Sequence, residues 1–188
     1  AYWFGDYRRA SIFLRKLSDF QIAIGQSLQF SYRRELFFGG LTCVALVSSR
    51  ESLNSSSSTT GIASNSHYLW KASQCLSQLK SFANRGSVDC KDMVAILQAE
   101  YNSVSMSVFF SNKKKVAKDY QSAIAEAKSV GSLQNIALAQ ELAGSFYLRV
   151  MEDSSRGARY IRLAHEAYMD WTAVGKAEQM EVLYPHYI

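Results

Sequence analysis

Apolar residues recur along this chain at the spacing of helices. Over 89–110, Met93, Leu97, Tyr101, Val104 and Val108 fall four, four, three and four residues apart, which makes one stripe. Over 134–152 the stripe is Leu138, Leu142, Phe146 and Val150, flanked by the small residues Ala139, Ala143 and Gly144 that a tight antiparallel hairpin requires. The same reading predicts helices at 67–84, 115–130, 155–173 and 176–183. Upstream, Asp6 is a good N-cap for a helix placing Tyr7, Ala10 and Leu14 on one face. A further helical region runs from about Phe20 to Val47. The expected connectors are short, with Ser111-Asn112 as a cap, Gly131 as a stop and Ser154-Ser155 as a start, and short connectors make sequential helices antiparallel.

Part of this pattern repeats. Tyr120-Gln-Ser-Ala123-Ile124-Ala-Glu126-Ala127 is echoed forty residues on by Tyr160-Ile-Arg-Leu163-Ala164-His-Glu166-Ala167. Leu97-Gln-Ala-Glu100-Tyr101 and Leu138-Ala-Gln-Glu141-Leu142 are forty-one residues apart. A two-helix unit of this length marks a helical-repeat array.

From Ser48 to Ser66 the pattern stops and Ser, Thr, Asn and Gly dominate, which predicts a flexible insert with little to bury. The single proline, Pro185, leaves long helices uninterrupted. The chain begins at Ala1, inside what reads as a repeat, so residues 1–188 are expected to be one helical-repeat domain cut from a longer polypeptide.

Composition narrows the rest. The longest apolar run, Leu36 to Val47, has twelve residues, whereas a membrane-spanning helix needs roughly 20, so a buried helix is expected. The aromatic, charged start has no signal-peptide pattern. Cys43, Cys75 and Cys90, odd in number and widely spaced, argue against a disulfide framework or a zinc site and suit a reducing, cytoplasmic setting. A net charge of +5 permits an acidic partner without demanding one.

Several of these segments resemble a known family. Gly5-Asp6-Tyr7-x-x-Ala10 looks like the entry to the second helix of a tetratricopeptide repeat. From about residue 67 onward the chain resembles the tetratricopeptide-like region of large multidomain signalling proteins, in which a predicted AAA-type ATPase is linked to histidine-kinase or nucleotide-cyclase modules. The residues that carry this are Leu97 with Ala99-Glu100, Tyr120-x-x-Ala123-Ile124-x-x-Ala127, Ala137-Leu138-Ala139-x-Glu141-x-Ala143, Phe146-Tyr147, Ala158 with Tyr160, and Ala164-x-x-Ala167-Tyr168-x-x-Trp171. Lys176, Tyr184 and Pro185 occupy the places of the family's ending, while Thr172-Ala173-Val174-Gly175 departs from its usual Gly-Ala. The resemblance implies a non-catalytic coupling module. No Gly-x-x-x-x-Gly-Lys loop is present for a nucleotide.

Candidate chemistry is weighed against plainer readings. Glu100 and Glu141 form a conceivable carboxylate pair, but repeat equivalence explains them more simply. His165 beside Glu166 suggests a phosphoacceptor, yet sequence neighbours on a helix point about 100° apart. Arg156, Arg159 and Arg162 rise three residues at a time and could meet phosphate or an acidic protein, or simply form a solvated face. The expected architecture is all-α, a tetratricopeptide-like α-solenoid of antiparallel helix hairpins. The expected function is protein–protein interaction, without enzyme activity, cofactor or metal, the partner being a protein that can be another domain of the same polypeptide. Polar positions on first helices, Gln98, Asn102, Gln140 and Ser145, are the candidate contacts. A nucleic-acid-binding repeat using the Arg156, Arg159 and Arg162 face is the alternative, followed by a phosphotransfer domain.

Overall fold

A computed structural model describes residues 2–12, 29–53, 60–105 and 113–188. Among these the regular structure is helical throughout, with no strand, as the stripes predict. The chain divides into two compact units, Ala1–Gly86 and Ser87–Ile188.

In the first unit, α1 (Gln29–Leu53) packs on α2 (Thr60–Asn84). Tyr32 meets Gln78 and Phe82, whereas Cys43, farther along α1, lies by Cys75, so the two helices run antiparallel. The apolar run Leu36 to Val47 sits inside α1 with Leu36, Phe37, Leu41, Val44 and Val47 buried. Thr42 is buried as well, and its hydroxyl donates to the Phe38 carbonyl at 2.7 Å, which satisfies a polar group in an apolar setting. Residues 7–12 are helical, and Asp6 caps them by accepting from the Arg9 N–H at 3.1 Å. Tyr2 and Trp3 lie against Phe38 at 5.7 and 5.6 Å between ring centroids.

The Ser-rich loop expected over 48–66 is narrower than its composition suggests. Helical backbone continues to Leu53 and resumes at Thr60. Ser and Asn are indifferent helix formers rather than breakers, and arms already paired extend cooperatively. Residues 54–59 lie outside the described residues, as do Leu14, 20–28, Val108 and the expected Ser111-Asn112 cap.

The second unit contains α3 (Lys91–Val104), α4 (Lys113–Val130), α5 (Leu133–Arg149), α6 (Ser154–Asp170) and α7 (Val174–Leu183). Each helix packs on the next, and α3 also reaches α5. Contacts between α5 and α6 fix their sense: Gly144 lies under Ile161 and Gly157 under Leu148, so numbers rise on one helix as they fall on the other. A Cβ on Gly144 would meet Ile161 Cδ1 at 2.7 Å, and one on Gly157 would meet Leu148 Cγ at 2.5 Å. The two backbones therefore approach as only glycine allows, which is the close packing that Gly144 beside its stripe predicts.

Helix ends carry local signals. Gly131 stops α4 in the left-handed region at φ 78°, and its N–H donates to the Ala127 carbonyl at 3.0 Å. Ser132 then caps α5 by accepting from the Asn135 N–H at 3.4 Å. α6 starts at Ser154, as Ser154-Ser155 predicts, and Asp153 caps it by accepting from the Arg156 N–H at 2.9 Å. The core of this unit is rich in aromatics: Tyr120, Phe146, Tyr147 and Tyr168 are all buried.

Candidate functional site

The repeated glutamates of α3 and α5 organise the polar interior of the second unit. Glu100 accepts a hydrogen bond from the Tyr120 hydroxyl, carried by α4. Burial raises its carboxyl above the ordinary glutamate value. The charge of Glu141 adds to that, while the Tyr120 hydrogen bond and the Arg149 charge oppose it. Burial also pushes the Tyr120 phenol well up, and the neighbouring Glu100 adds to the shift.

Glu141 has a different shell. It accepts from the Lys176 ammonium at 2.8 Å and from the Tyr168 hydroxyl at 2.7 Å. Lys176 is buried, with its charge 5.7 Å above the Tyr168 ring and a second bond to Gln179 at 3.0 Å. A Glu on α5, a Tyr on α6 and a Lys on α7 thus join three helices at one buried point. The Lys176 pairing escapes sequence reasoning, although a lysine between small and apolar neighbours, Gly175 and Ala177, is the trace it leaves.

A third junction ties α3 to α5. Asp92 is buried and accepts from Asn135 Nδ2 and from the Met93 N–H, each at 2.7 Å. Burial raises its carboxyl, with both hydrogen bonds acting the other way. Nothing in the repeat pattern singles out this pair. His165, the conceivable phosphoacceptor, faces Glu181 of α7 at 2.9 Å and not its sequence neighbour Glu166.

The four polar contact candidates do not line one open face. Gln98 donates to Asn102 Oδ1 at 2.9 Å, and Asn102 donates to Asp119 Oδ2 at 2.8 Å, so this half-buried chain stitches α3 to α4. Gln140 is buried, and its side-chain oxygen has no hydrogen-bond partner. Ser145 is half-buried near Tyr184, whose phenol burial pushes up.

The arginine row is divided too. Arg156 pairs with Asp153 at 3.0 Å and leans over the Tyr147 ring at 5.6 Å. Arg162 donates to the Tyr187 carbonyl at 3.5 Å, and Arg159 is exposed. Among the described residues, no group of three or more His, Cys, Asp or Glu is placed to hold a metal. No described helix is long and apolar enough to cross a membrane. The three cysteines are free, and burial pushes the Cys43 thiol up to about 12.

Exposed apolar side chains are unevenly distributed. Eight large ones are exposed in Ser87–Ile188, and six of them lie in the last twenty residues: Met169, Trp171, Val174, Val182, Leu183 and Ile188. The inner face of α7 buries Lys176, Ala177 and Met180, while Val174 and Val182, eight residues apart, share an outer face. No family model, curated protein or solved structure matches this chain.

Proposed function

We propose that the chain is a non-catalytic protein–protein interaction and coupling module of a cytosolic signalling protein, built as a tetratricopeptide-like α-solenoid. The observation that carries this reading is the apolar end of the second unit, where α6, α7 and the turn between them leave Met169, Trp171, Val174, Val182 and Leu183 exposed. Large apolar side chains left exposed along the last helices fit a docking site. The internal pairing of Glu100, Glu141, Asp92 and His165 supports it, because each of these groups has a partner that holds helices together. The partner is a protein, other domains of the same polypeptide included. The family resemblance of the Tyr168 to Pro185 ending supports placement in a signalling protein.

This reading moves the expected contact surface. Gln98 and Asn102 are bonded to each other and to α4, and Gln140 is buried, so the outer face of α7 is the surface to test first. The test is co-purification with the tagged chain, wild type against Val182→Glu with Leu183→Glu. Both side chains are exposed, so helicity is expected to be unchanged while partners are lost. Retention of the same partners by a folded double variant overturns the proposal.

A further inference from the structure

The two units differ sharply in charge. Ala1–Gly86 carries ten Lys or Arg against four Asp or Glu, whereas Ser87–Ile188 carries eleven against twelve. The excess that makes the chain basic therefore belongs to the first unit. Within that unit α2 has no acidic residue at all over its twenty-five positions.

One face of α2 is buried through Ala72, Leu76 and Leu79. The opposite face is open and has an ordered composition. Trp70, Gln74, Ser77 and Ser81 follow one another at spacings of four, three and four, which places them along one line. Exposed Lys71 and Lys80 flank that line on opposite sides, and exposed Arg85 follows the helix end. Trp70 is 58% exposed, which is unusual for so large an apolar ring, and it stacks on the exposed His67 ring at 6.3 Å with the planes 26° apart. A flat aromatic surface thus stands among cations and neutral hydrogen-bonding groups, with no carboxylate on the helix.

We infer that the outer face of α2 docks an acidic protein segment, its carboxylates against Lys71, Lys80 and Arg85 and one of its apolar side chains against Trp70 and His67. Charge complementarity selects the sign of the partner. Trp and Arg are the side chains on which interface affinity concentrates. The geometry disfavours a nucleic-acid strand. Trp70 to Arg85 spans about 22 Å at the helical rise, a length over which a stacked strand carries about six phosphates, against three cations. The helix also offers one stacked pair where strand binding uses successive stacking platforms. A membrane surface is disfavoured because Trp70 is the one large apolar residue on the open line.

This surface belongs to the first unit and the α7 face to the second, and the two are tested apart. The whole chain is titrated, by fluorescence anisotropy at low and at physiological salt, into a labelled short peptide of Asp and Glu with a central Leu. A labelled oligo-dT of equal charge and a vesicle containing phosphatidylserine are the comparison probes. The peptide is expected to bind, to weaken as salt rises, and to lose about tenfold in affinity on Trp70→Ala. Lys71→Glu with Arg85→Glu is expected to abolish binding. Both positions are exposed, so circular dichroism should be unchanged. Val182→Glu with Leu183→Glu should leave peptide binding intact, which separates failure here from failure at α7. Absence of peptide binding, indifference to Trp70→Ala, or tighter binding of oligo-dT or vesicles overturns the inference.

Discussion

Glu100 and Glu141 stand at matching places in successive helix pairs, yet they occupy opposite electrostatic situations. Glu100 accepts from a neutral phenol, and its carboxyl is raised by burial. Glu141 accepts from a phenol and from a buried ammonium that α7 supplies. The repeat therefore carries the residue type forward without carrying its charge balance. A carboxylate whose countercharge arrives from the next helix becomes a joint. One without such a partner is tolerated because a single hydrogen bond and a more distant Arg149 offset part of its burial. The difference makes α7 integral to the unit: its short inner face buries Ala177 and Met180, and Lys176 fastens it to α5.

The largest expected effect tests that fastening. Lys176→Met leaves Glu141 with one neutral donor and should cost about 3 kcal/mol of stability, the usual scale for breaking a buried pair. Urea unfolding followed by circular dichroism measures it. Adding Glu141→Met removes the orphaned charge, and stability should return to within about 1 kcal/mol of wild type, the residual being the Tyr168 hydroxyl left without its acceptor. A neutral Lys176→Met would mean that the two glutamates are alike after all.

A smaller effect concerns the turn that delivers Lys176. Thr172 holds φ 62°, in the left-handed region, and the Ala173 N–H closes the helix end by donating to the Tyr168 carbonyl at 2.8 Å. At the end of α4 the same conformation belongs to Gly131, with Ser132 donating to the Ala127 carbonyl at 3.3 Å. A β-branched residue is disfavoured there and glycine is not. Thr172→Gly should therefore raise stability by about 1 kcal/mol, and Gly131→Ala should lower it by a similar amount. Thermal unfolding of the two variants reads both signs. If Thr172→Gly destabilises, the turn is not strained and the contrast with Gly131 disappears.

What the sequence reveals follows from what each signal encodes. Helix positions were legible because stripes such as Leu138, Leu142, Phe146 and Val150 encode a buried face directly, although Leu142 and Val150 prove only half-buried. Gly144 beside its stripe announced a close neighbour. Partnerships were not legible, because they depend on connector length. The forty-residue echo pairs Tyr120 with Tyr160, yet the phenol that meets Glu141 is Tyr168. Eight residues join α3 to α4 and four join α5 to α6, so the second pair of helices is set in another register. Tyr160 stacks instead on Tyr147, with ring centroids 5.4 Å apart. The contact candidates carry a related lesson. Polar type at Gln98, Asn102 and Gln140 suggests a wet face, but only the neighbouring helices decide whether that polarity is turned outward or bonded within. Exposed Val182 carries the converse lesson, since its type says core and its surroundings leave it 79% exposed.

The smallest expected effect sharpens the comparison through pH. An acid whose folded-state pKa is raised binds its proton more readily in the folded than in the unfolded chain. Glu100 therefore favours folding fully below the ordinary glutamate value of about 4.3, and that contribution is lost as pH rises through its raised folded value. Glu100→Gln keeps the shape and an oxygen for the Tyr120 hydroxyl while removing the buried charge. At neutral pH its melting temperature should equal or exceed that of wild type. The rise in wild-type stability from neutral to mildly acidic pH should become shallower in the variant, with Asp92, also raised by burial, maintaining part of the slope. Glu141→Gln should behave otherwise, since it leaves Lys176 buried without a countercharge and lowers the melting temperature at neutral pH. Equal losses in the two variants would show that Glu100 is held by a charge as Glu141 is, and Arg149, whose charge already acts on Glu100, would be the group to replace next.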